Sequence, residues 1–161
     1  MAQDTIHLLF VDDEEAFLKS MTKRLEARGF HVIAVTRGEK AIEAARQCPI
    51  DIALVDLKMP GIDGEQTLEA LRREHAWMEV IILTGHGSVE TAVECTKKGA
   101  YSYLQKPCDF DALFQVLVEA YKKKVMNKRQ IEETRMRELL SSALSESPLA
   151  ILRKIKELDH D

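Results

Sequence analysis

Five side chains could do chemistry together: the carboxylates of Asp12, Asp13 and Asp56, the hydroxyl of Thr84 and the ammonium of Lys106. Each stands at or just past the end of a short apolar run: residues 6–11, 52–55, 80–83 and 101–104. Carboxylates packed together repel, and such an arrangement persists only with a compensating cation. Oxygen donors without cysteine or clustered histidine select a hard metal, Mg²⁺. An aspartate in that setting can attack phosphorus and become an aspartyl-phosphate, so Asp56 is a candidate nucleophile. Lys106 and Thr84 would bond the oxygens of the transferring group. Each residue alone has an ordinary reading. Asp12 and Asp13 would be a helix cap or a solvated pair, Lys106 a surface lysine, and Asp109 is read as a cap. The joint occurrence at four strand ends is what argues for a site.

Elements must bring these ends together. Apolar runs of strand length alternate with segments of helical spacing. Phe17, Leu18, Met21 and Leu25 mark a helix stopped by Gly29. Residues 30–35 read as a second strand, and Ala41, Ile42, Ala44 and Ala45 as a short helix ending before Pro49. Pro60-Gly61 and Asp63-Gly64 mark a turn before a helix with Leu68 and Leu71. Ser88 is a candidate N-cap for a helix with Ala92, Val93 and Cys95 that stops at Gly99. Five strand–helix units in series predict an α/β fold, a doubly wound five-stranded parallel sheet with helices on both faces. In such sheets ligands bind beyond the carboxyl ends of the strands, where the five candidate residues lie.

Composition agrees with one soluble domain and a short extension. Hydrophobic residues are 45% of the chain and charged residues 31%, enough for both a core and a solvated surface. No stretch approaches the roughly 20 apolar residues of a membrane helix. The start, Met1-Ala2-Gln3-Asp4, lacks the basic and apolar regions of a signal peptide, so a cytoplasmic location is expected. Cys48, Cys95 and Cys108 lack metal-ligand spacing and read as small, partly buried residues. Residues 1–121 hold 13 Lys/Arg against 20 Asp/Glu, whereas residues 122–161 hold 10 against 7. That mildly basic tail reads as a solvated helix face rather than a nucleic-acid site.

Four segments carry a family resemblance: Leu9-Phe10-Val11-Asp12-Asp13-Glu14, residues 54–64 around Asp56, Ile82-Leu83-Thr84-Gly85-His86-Gly87, and Tyr103-Leu104-Gln105-Lys106-Pro107. In order and spacing they resemble the bacterial two-component response-regulator receivers, over roughly residues 5–121. The resemblance implies a flavodoxin-like sheet with strand order 2-1-3-4-5. It implies that Asp12 and Asp13 hold Mg²⁺ directly or through water, with Asp56 and the Lys58 backbone carbonyl as further ligands. It implies phosphorylation of Asp56 by a partner histidine kinase, Thr84 and Tyr103 as a switch pair, and a cis bond before Pro107. Such a chain catalyses only its own phosphorylation and slow dephosphorylation. Lys58 and His86 lie two residues beyond Asp56 and Thr84 and should border the pocket mouth, where they could tune the phosphoryl lifetime. Their ordinary reading is two exposed polar side chains.

The segment from Thr84 to Ser88 and the turn at Gly99-Ala100-Tyr101 look most like receivers of sigma-54-dependent regulators. No GxxxxGK[ST] loop is present in these 161 residues. The chain therefore reads as a receiver acting on an unknown output protein or, alternatively, as the receiver portion of a longer transcriptional regulator. A phosphatase of the haloacid dehalogenase type also uses an aspartate nucleophile and Mg²⁺, but carries it in a DxD motif after the first strand. Here the first strand is followed by Asp12-Asp13.

The receiver is expected over residues 1–121 and a helical extension or linker over 122–161. Residues 130–144 contain no glycine or proline and continue the last helix. Val125, Ile131, Met136, Leu139, Leu140 and Leu144 form a broken apolar stripe. It fits either a homodimer through this helix or a solvated helix. Ser147-Pro148 then reads as an N-cap and first residue of a short helix carrying Leu149, Leu152, Ile155 and Leu158.

Overall fold

The computed structural model describes residues 5–143 and 148–159. Its chain forms two compact units, Met1–Lys124 and Val125–Asp161.

In the first unit the strands are β1 (His7–Val11), β2 (His31–Val35), β3 (Ile52–Val55), β4 (Glu79–Thr84) and β5 (Ser102–Gln105). Helices α1 (Glu15–Ala27), α2 (Gly38–Gln47), α3 (Gly64–Glu74), α4 (Val89–Lys97) and α5 (Phe110–Ala143) alternate with them. All pairings are parallel, in the order β2-β1-β3-β4-β5. This is the expected doubly wound sheet.

Strand periodicity divides the continuous apolar runs between two layers. Leu8, Phe10, Ile52, Leu54, Ile81 and Leu83 face one side, against Leu18, Met21 and Leu25 of α1 and Leu113 and Leu117 of α5. Leu9, Val11, Ala53, Val55, Val80 and Ile82 face the other, against α2, α3 and Cys95 of α4. Full burial of each Leu, Ile, Val or Phe among these stabilises the fold by about 1.5–3 kcal/mol.

Strand limits differ from the sequence reading by no more than one residue at either end, and those of β3 not at all. The Phe30 N–H donates to the Leu25 carbonyl, closing α1, so the β2 ladder begins at His31. Helix α4 differs more. Only Cys95 is buried there, while Val89 is 82% and Val93 46% exposed.

Register places the site. Val11 pairs with both Val35 and Val55, so Asp12 and Asp56 emerge side by side. Thr84 pairs with Gln105, which sets Lys106 just beyond β5. At the opposite edge Lys124 of α5 pairs with Asp51, and Lys123 lies 3.9 Å from Glu79.

The second unit holds the remainder of α5 and α6 (Pro148–Leu158). The continuation of α5 beyond Tyr121 follows the expectation. Val125, Met126, Ile131, Met136 and Leu140 are exposed, as are Leu149, Leu152 and Ile155 of α6. The reading of Ser147 as an N-cap falls outside the described residues, as does the place of Leu144. Among the described residues no helix is long and apolar enough to cross a membrane.

Candidate functional site

Asp12 and Asp56 are buried at the carboxyl edge of the central strands, at 0% and 2% exposure, and Asp13 is exposed above them. Their backbones continue the sheet: the Asp56 N–H donates to Val11 and the Asp12 N–H to Val35. One carboxylate oxygen from each of Asp12, Asp13 and Asp56 falls within 4.8 Å of the other two. The close approach of α3 depends on Gly64. A Cβ there would lie 2.2 Å from the Asp56 carbonyl oxygen, whereas the Gly64 N–H donates to Leu57 at 2.8 Å. Asp63 caps α3 through a capping box with Gln66 and fixes where that helix starts.

Lys106 reaches into this cluster from β5. Its Nζ lies 2.6 Å from Asp12 Oδ2, 3.6 Å from Asp56 Oδ2 and 3.6 Å from Glu14 Oε1. Its ammonium also sits 4.2 Å from the centroid of the Phe17 ring, a cation–π contact. Asp12 Oδ1 accepts from the Glu14 N–H and Asp56 Oδ1 from the Leu57 N–H.

Burial pushes the Asp12 carboxyl above the ordinary aspartate range, against the lowering effect of the Lys106 and Glu14 hydrogen bonds. Burial also works to lower the Lys106 pKa. There the hydrogen bond to Asp12 and the charges of Asp12, Asp56 and Glu14 prevail and hold it above the ordinary lysine range. A simple ion pair would have depressed the carboxyl. One ammonium shared among several carboxylates cannot offset the burial of Asp12. The donor set is thus all oxygen, short of positive charge and closely spaced, which fits a hard divalent cation.

The remaining predicted residues surround this centre. Thr84 is fully buried, and its Oγ1 accepts from the His86 N–H at 3.1 Å. Lys58 and His86 are exposed and line a hollow of about 500 Å³ with Asp13, Met59, Asp63, Glu65 and Thr91. The Lys106–Pro107 peptide bond is cis. Tyr103 is half-buried against the second core layer, and its hydroxyl lies 2.9 Å from Thr91 Oγ1. It does not line the hollow itself.

Three contributors escaped the sequence reading. The spacing places Phe17 only in the α1 core pattern, yet its ring also borders Lys106. Glu39 accepts from the Ile62 N–H at 3.0 Å and ties the loop after β3 to α2. Thr91 lies three residues past Ser88, the spacing of a capping box, and that spacing could have singled it out.

Residues 8–118 match the response regulator receiver domain family. The chain is 37% identical over 120 residues to the transcriptional regulatory protein GlrR of Escherichia coli (strain K12). That match covers 74% of this chain and 27% of GlrR, so the chain spans about a quarter of that relative's length. A CheY-like response regulator receiver domain protein from Methanospirillum hungatei JF-1 superposes with a TM-score of 0.75 at 27% identity, over 77% of this chain and 99% of that one. The beryllofluoride-activated NtrC4 receiver domain dimer gives 0.70 at 31% identity, over 73% and 98%. The family match extends over well more than half of the sequence and includes every strand that carries a candidate residue: the chain belongs to the response regulator receiver domain family.

Proposed function

We propose that this chain is the phosphoacceptor of a two-component phosphorelay, with Asp56 as the residue phosphorylated. The observation that carries the reading is the convergence of Asp12, Asp13 and Asp56 on one edge with a single ammonium, Lys106. An Asp56 carboxylate oxygen attacks the phosphorus of a kinase phosphohistidine. A P–O bond forms, the P–N bond breaks with its electron pair going to the ring nitrogen, and the imidazole, already protonated on its other nitrogen, leaves as the neutral ring. Lys106, 3.6 Å from Asp56 Oδ2, needs only a short movement to reach an oxygen of the transferred group. The Thr84 hydroxyl, now an acceptor for the His86 N–H, would turn to donate to another. Asp12, Asp13, Asp56 and the Lys58 carbonyl would hold Mg²⁺, which supplies neutralising charge for the phosphoryl oxygens.

The role is that of a switch rather than a turnover enzyme: the chain acts only on its own carboxylate. Lys58 and His86 border the hollow through which water would reach the acyl phosphate, so both side chains tune its lifetime. The receiver comprises residues 1–121, acts in the cytoplasm and contacts an output protein rather than DNA. Residues 122–161 form a helical extension, whose exposed apolar residues suit pairing with a second copy. The beryllofluoride-activated NtrC4 receiver domain is a dimer, which supports self-association of the receiver itself. A second reading rests on length. The chain spans only 27% of GlrR, a transcriptional regulatory protein, and so also suits the receiver portion of a longer regulator.

Labelled acetyl phosphate with Mg²⁺ tests the proposal. The chain should take up at most one phosphoryl group, transiently, and Asp56→Asn should take up none. Labelling of Asp56→Asn at the wild-type rate, or sustained release of many equivalents of phosphate, would overturn it.

A further inference from the structure

Tyr103 and the loop after β4 meet at a single side chain. Ser88 and Thr91 form a reciprocal cap at the start of α4, in which the Thr91 N–H donates to Ser88 Oγ and the Ser88 N–H donates to Thr91 Oγ1 at 2.9 Å. Thr91 Oγ1 donates its own proton to the Ser88 carbonyl at 3.0 Å. A hydroxyl has one proton and two acceptor positions. Thr91 Oγ1 also lies 3.2 Å from Ser88 Oγ and 2.9 Å from the Tyr103 hydroxyl, and in each of these contacts either oxygen can donate. Whichever oxygen carries the proton, Thr91 and Tyr103 are joined by a hydroxyl–hydroxyl hydrogen bond.

The tyrosine is held from below as well. A Cβ on Gly87 would lie 2.1 Å from the Tyr103 hydroxyl oxygen and 2.9 Å from its Cζ. The absence of a side chain at Gly87 is the seat into which the phenol fits. Gly87 follows His86, whose N–H is held by Thr84 Oγ1. Thr84, His86, Gly87, Thr91 and Tyr103 thus form one contiguous hydrogen-bonded and packed series. The far end of α4 is anchored separately, by Lys98 at 2.9 Å from Glu65 and 3.0 Å from Glu69 of α3.

We propose that Thr91 is a positioning residue of the switch: its hydroxyl latches Tyr103 into the Gly87 seat and so ties the tyrosine to the loop carrying Thr84. The inference rests on the reading of Thr84 and Tyr103 as the switch pair. When Thr84 turns towards a phosphoryl group on Asp56, the His86 N–H loses its acceptor and the loop beneath Tyr103 can shift. The latch opposes that shift, and its loss favours the phosphorylated arrangement.

The test uses the full chain with Thr91→Val, Thr91→Ser, Ser88→Ala, Tyr103→Phe and the Thr91→Val/Tyr103→Phe pair. Ring resonances of labelled tyrosine report the latch without phosphorylation, since the chain holds only three tyrosines. In Thr91→Val the Tyr103 signals should move while those of Tyr101 and Tyr121 stay. Thr91→Ser should restore them. Ser88→Ala, which weakens the cap but spares the Thr91–Tyr103 bond, should leave them in place. The rate of labelling by acetyl phosphate should rise about fivefold in Thr91→Val, the effect of one neutral hydrogen bond. In the Tyr103→Phe background Thr91→Val should add nothing, because the bond is already gone. Unmoved Tyr103 signals in Thr91→Val, an equal movement in Ser88→Ala, an unchanged or slower labelling rate, or an undiminished effect in the Tyr103→Phe background would each overturn the latch. A wild-type chain that takes up no phosphoryl group would instead overturn the phosphoacceptor reading, and the ring signals would still decide the latch.

Discussion

Lys106 donates to Asp12 at 2.6 Å and stands 3.6 Å from Asp56, beyond hydrogen-bond reach. The ammonium is held close to the candidate acceptor but committed to its neighbour. Lys106→Met keeps the aliphatic stem over Phe17 and removes the charge. Metal binding by the carboxylates should be retained, because the competing cation is gone. The phosphorylated state should be impaired, with labelling by acetyl phosphate slowed by about tenfold or more, as expected for loss of one charged group at a developing anion. Calorimetric titration with Mg²⁺ beside a labelling time course separates the two effects. Loss of metal binding with normal labelling would reverse the assignment.

The carboxylates make an opposite prediction. Asp13→Ala removes an oxygen donor or the anchor of a bound water and should lower Mg²⁺ affinity by about tenfold or more. The pH dependence follows from Asp12, whose folded-state pKa is raised by burial. A raised carboxyl pKa means that the metal-free fold binds that proton more tightly than the unfolded chain. The resulting stability is therefore greatest in acid and declines as pH rises through the Asp12 pKa. Mg²⁺ must displace the same proton. Its stabilising effect on thermal unfolding should be large near neutral pH and fade in acid, before an ordinary aspartate would protonate. An Mg²⁺-induced shift in melting temperature that is constant across this range would contradict the role of Asp12.

Strand ends were the legible part of this site. Ile52–Val55 is a strand as read, and parallel pairing then puts Asp12 beside Asp56 without further information. Local patterns also located the Ser88 cap and the stop of α1 at Gly29. Contacts between residues distant in sequence were not legible. Nothing local to Phe17 indicates that its ring borders Lys106, and nothing local to Thr91 indicates that Tyr103 reaches it. The spacing places Val93 in an inward apolar pattern, yet it is exposed. Helix α4 packs so narrow a face that Cys95 alone is buried, and local periodicity does not reveal the width of a contact.

Cys95 offers a probe of α4 for that reason. Burial, with a smaller contribution from the Glu65 charge, pushes its thiol up to about 11. The thiolate is the reactive form, so near pH 8 only about a thousandth of Cys95 is ionised. Cys48 is exposed, and Cys108 is half-buried with its thiol raised by burial. A thiol reagent should therefore modify Cys48 first, Cys108 more slowly, and Cys95 slowest of the three while the chain is folded and not activated. If α4 moves on activation, beryllofluoride with Mg²⁺ should speed Cys95 modification in a Cys48→Ser/Cys108→Ser background. Rapid Cys95 labelling without activation would mean that α4 does not cover it in solution.

Lys123 and Lys124 decide where the chain can be divided for a test of assembly. Both pair with acids at the edge of the sheet, Glu79 and Asp51, so a cut at Tyr121 would remove the lysine beside the buried Glu79 and leave the partly buried Asp51 with His7 alone. A cut after Lys124 keeps these pairs and every candidate site residue. The truncated chain should unfold cooperatively and still accept a phosphoryl group. The segment removed carries Met126, Ile131, Met136 and Leu140 on α5 and Leu149, Leu152 and Ile155 on α6, all exposed in a single copy. Apolar surface of this kind is stabilised when it is covered. If a second copy covers it, the full chain should sediment as a dimer and the truncated chain as a monomer. Beryllofluoride should strengthen the dimer if activation remodels α5. Monomers of both lengths, with and without beryllofluoride, would exclude pairing through the extension and leave another protein as the partner for this surface.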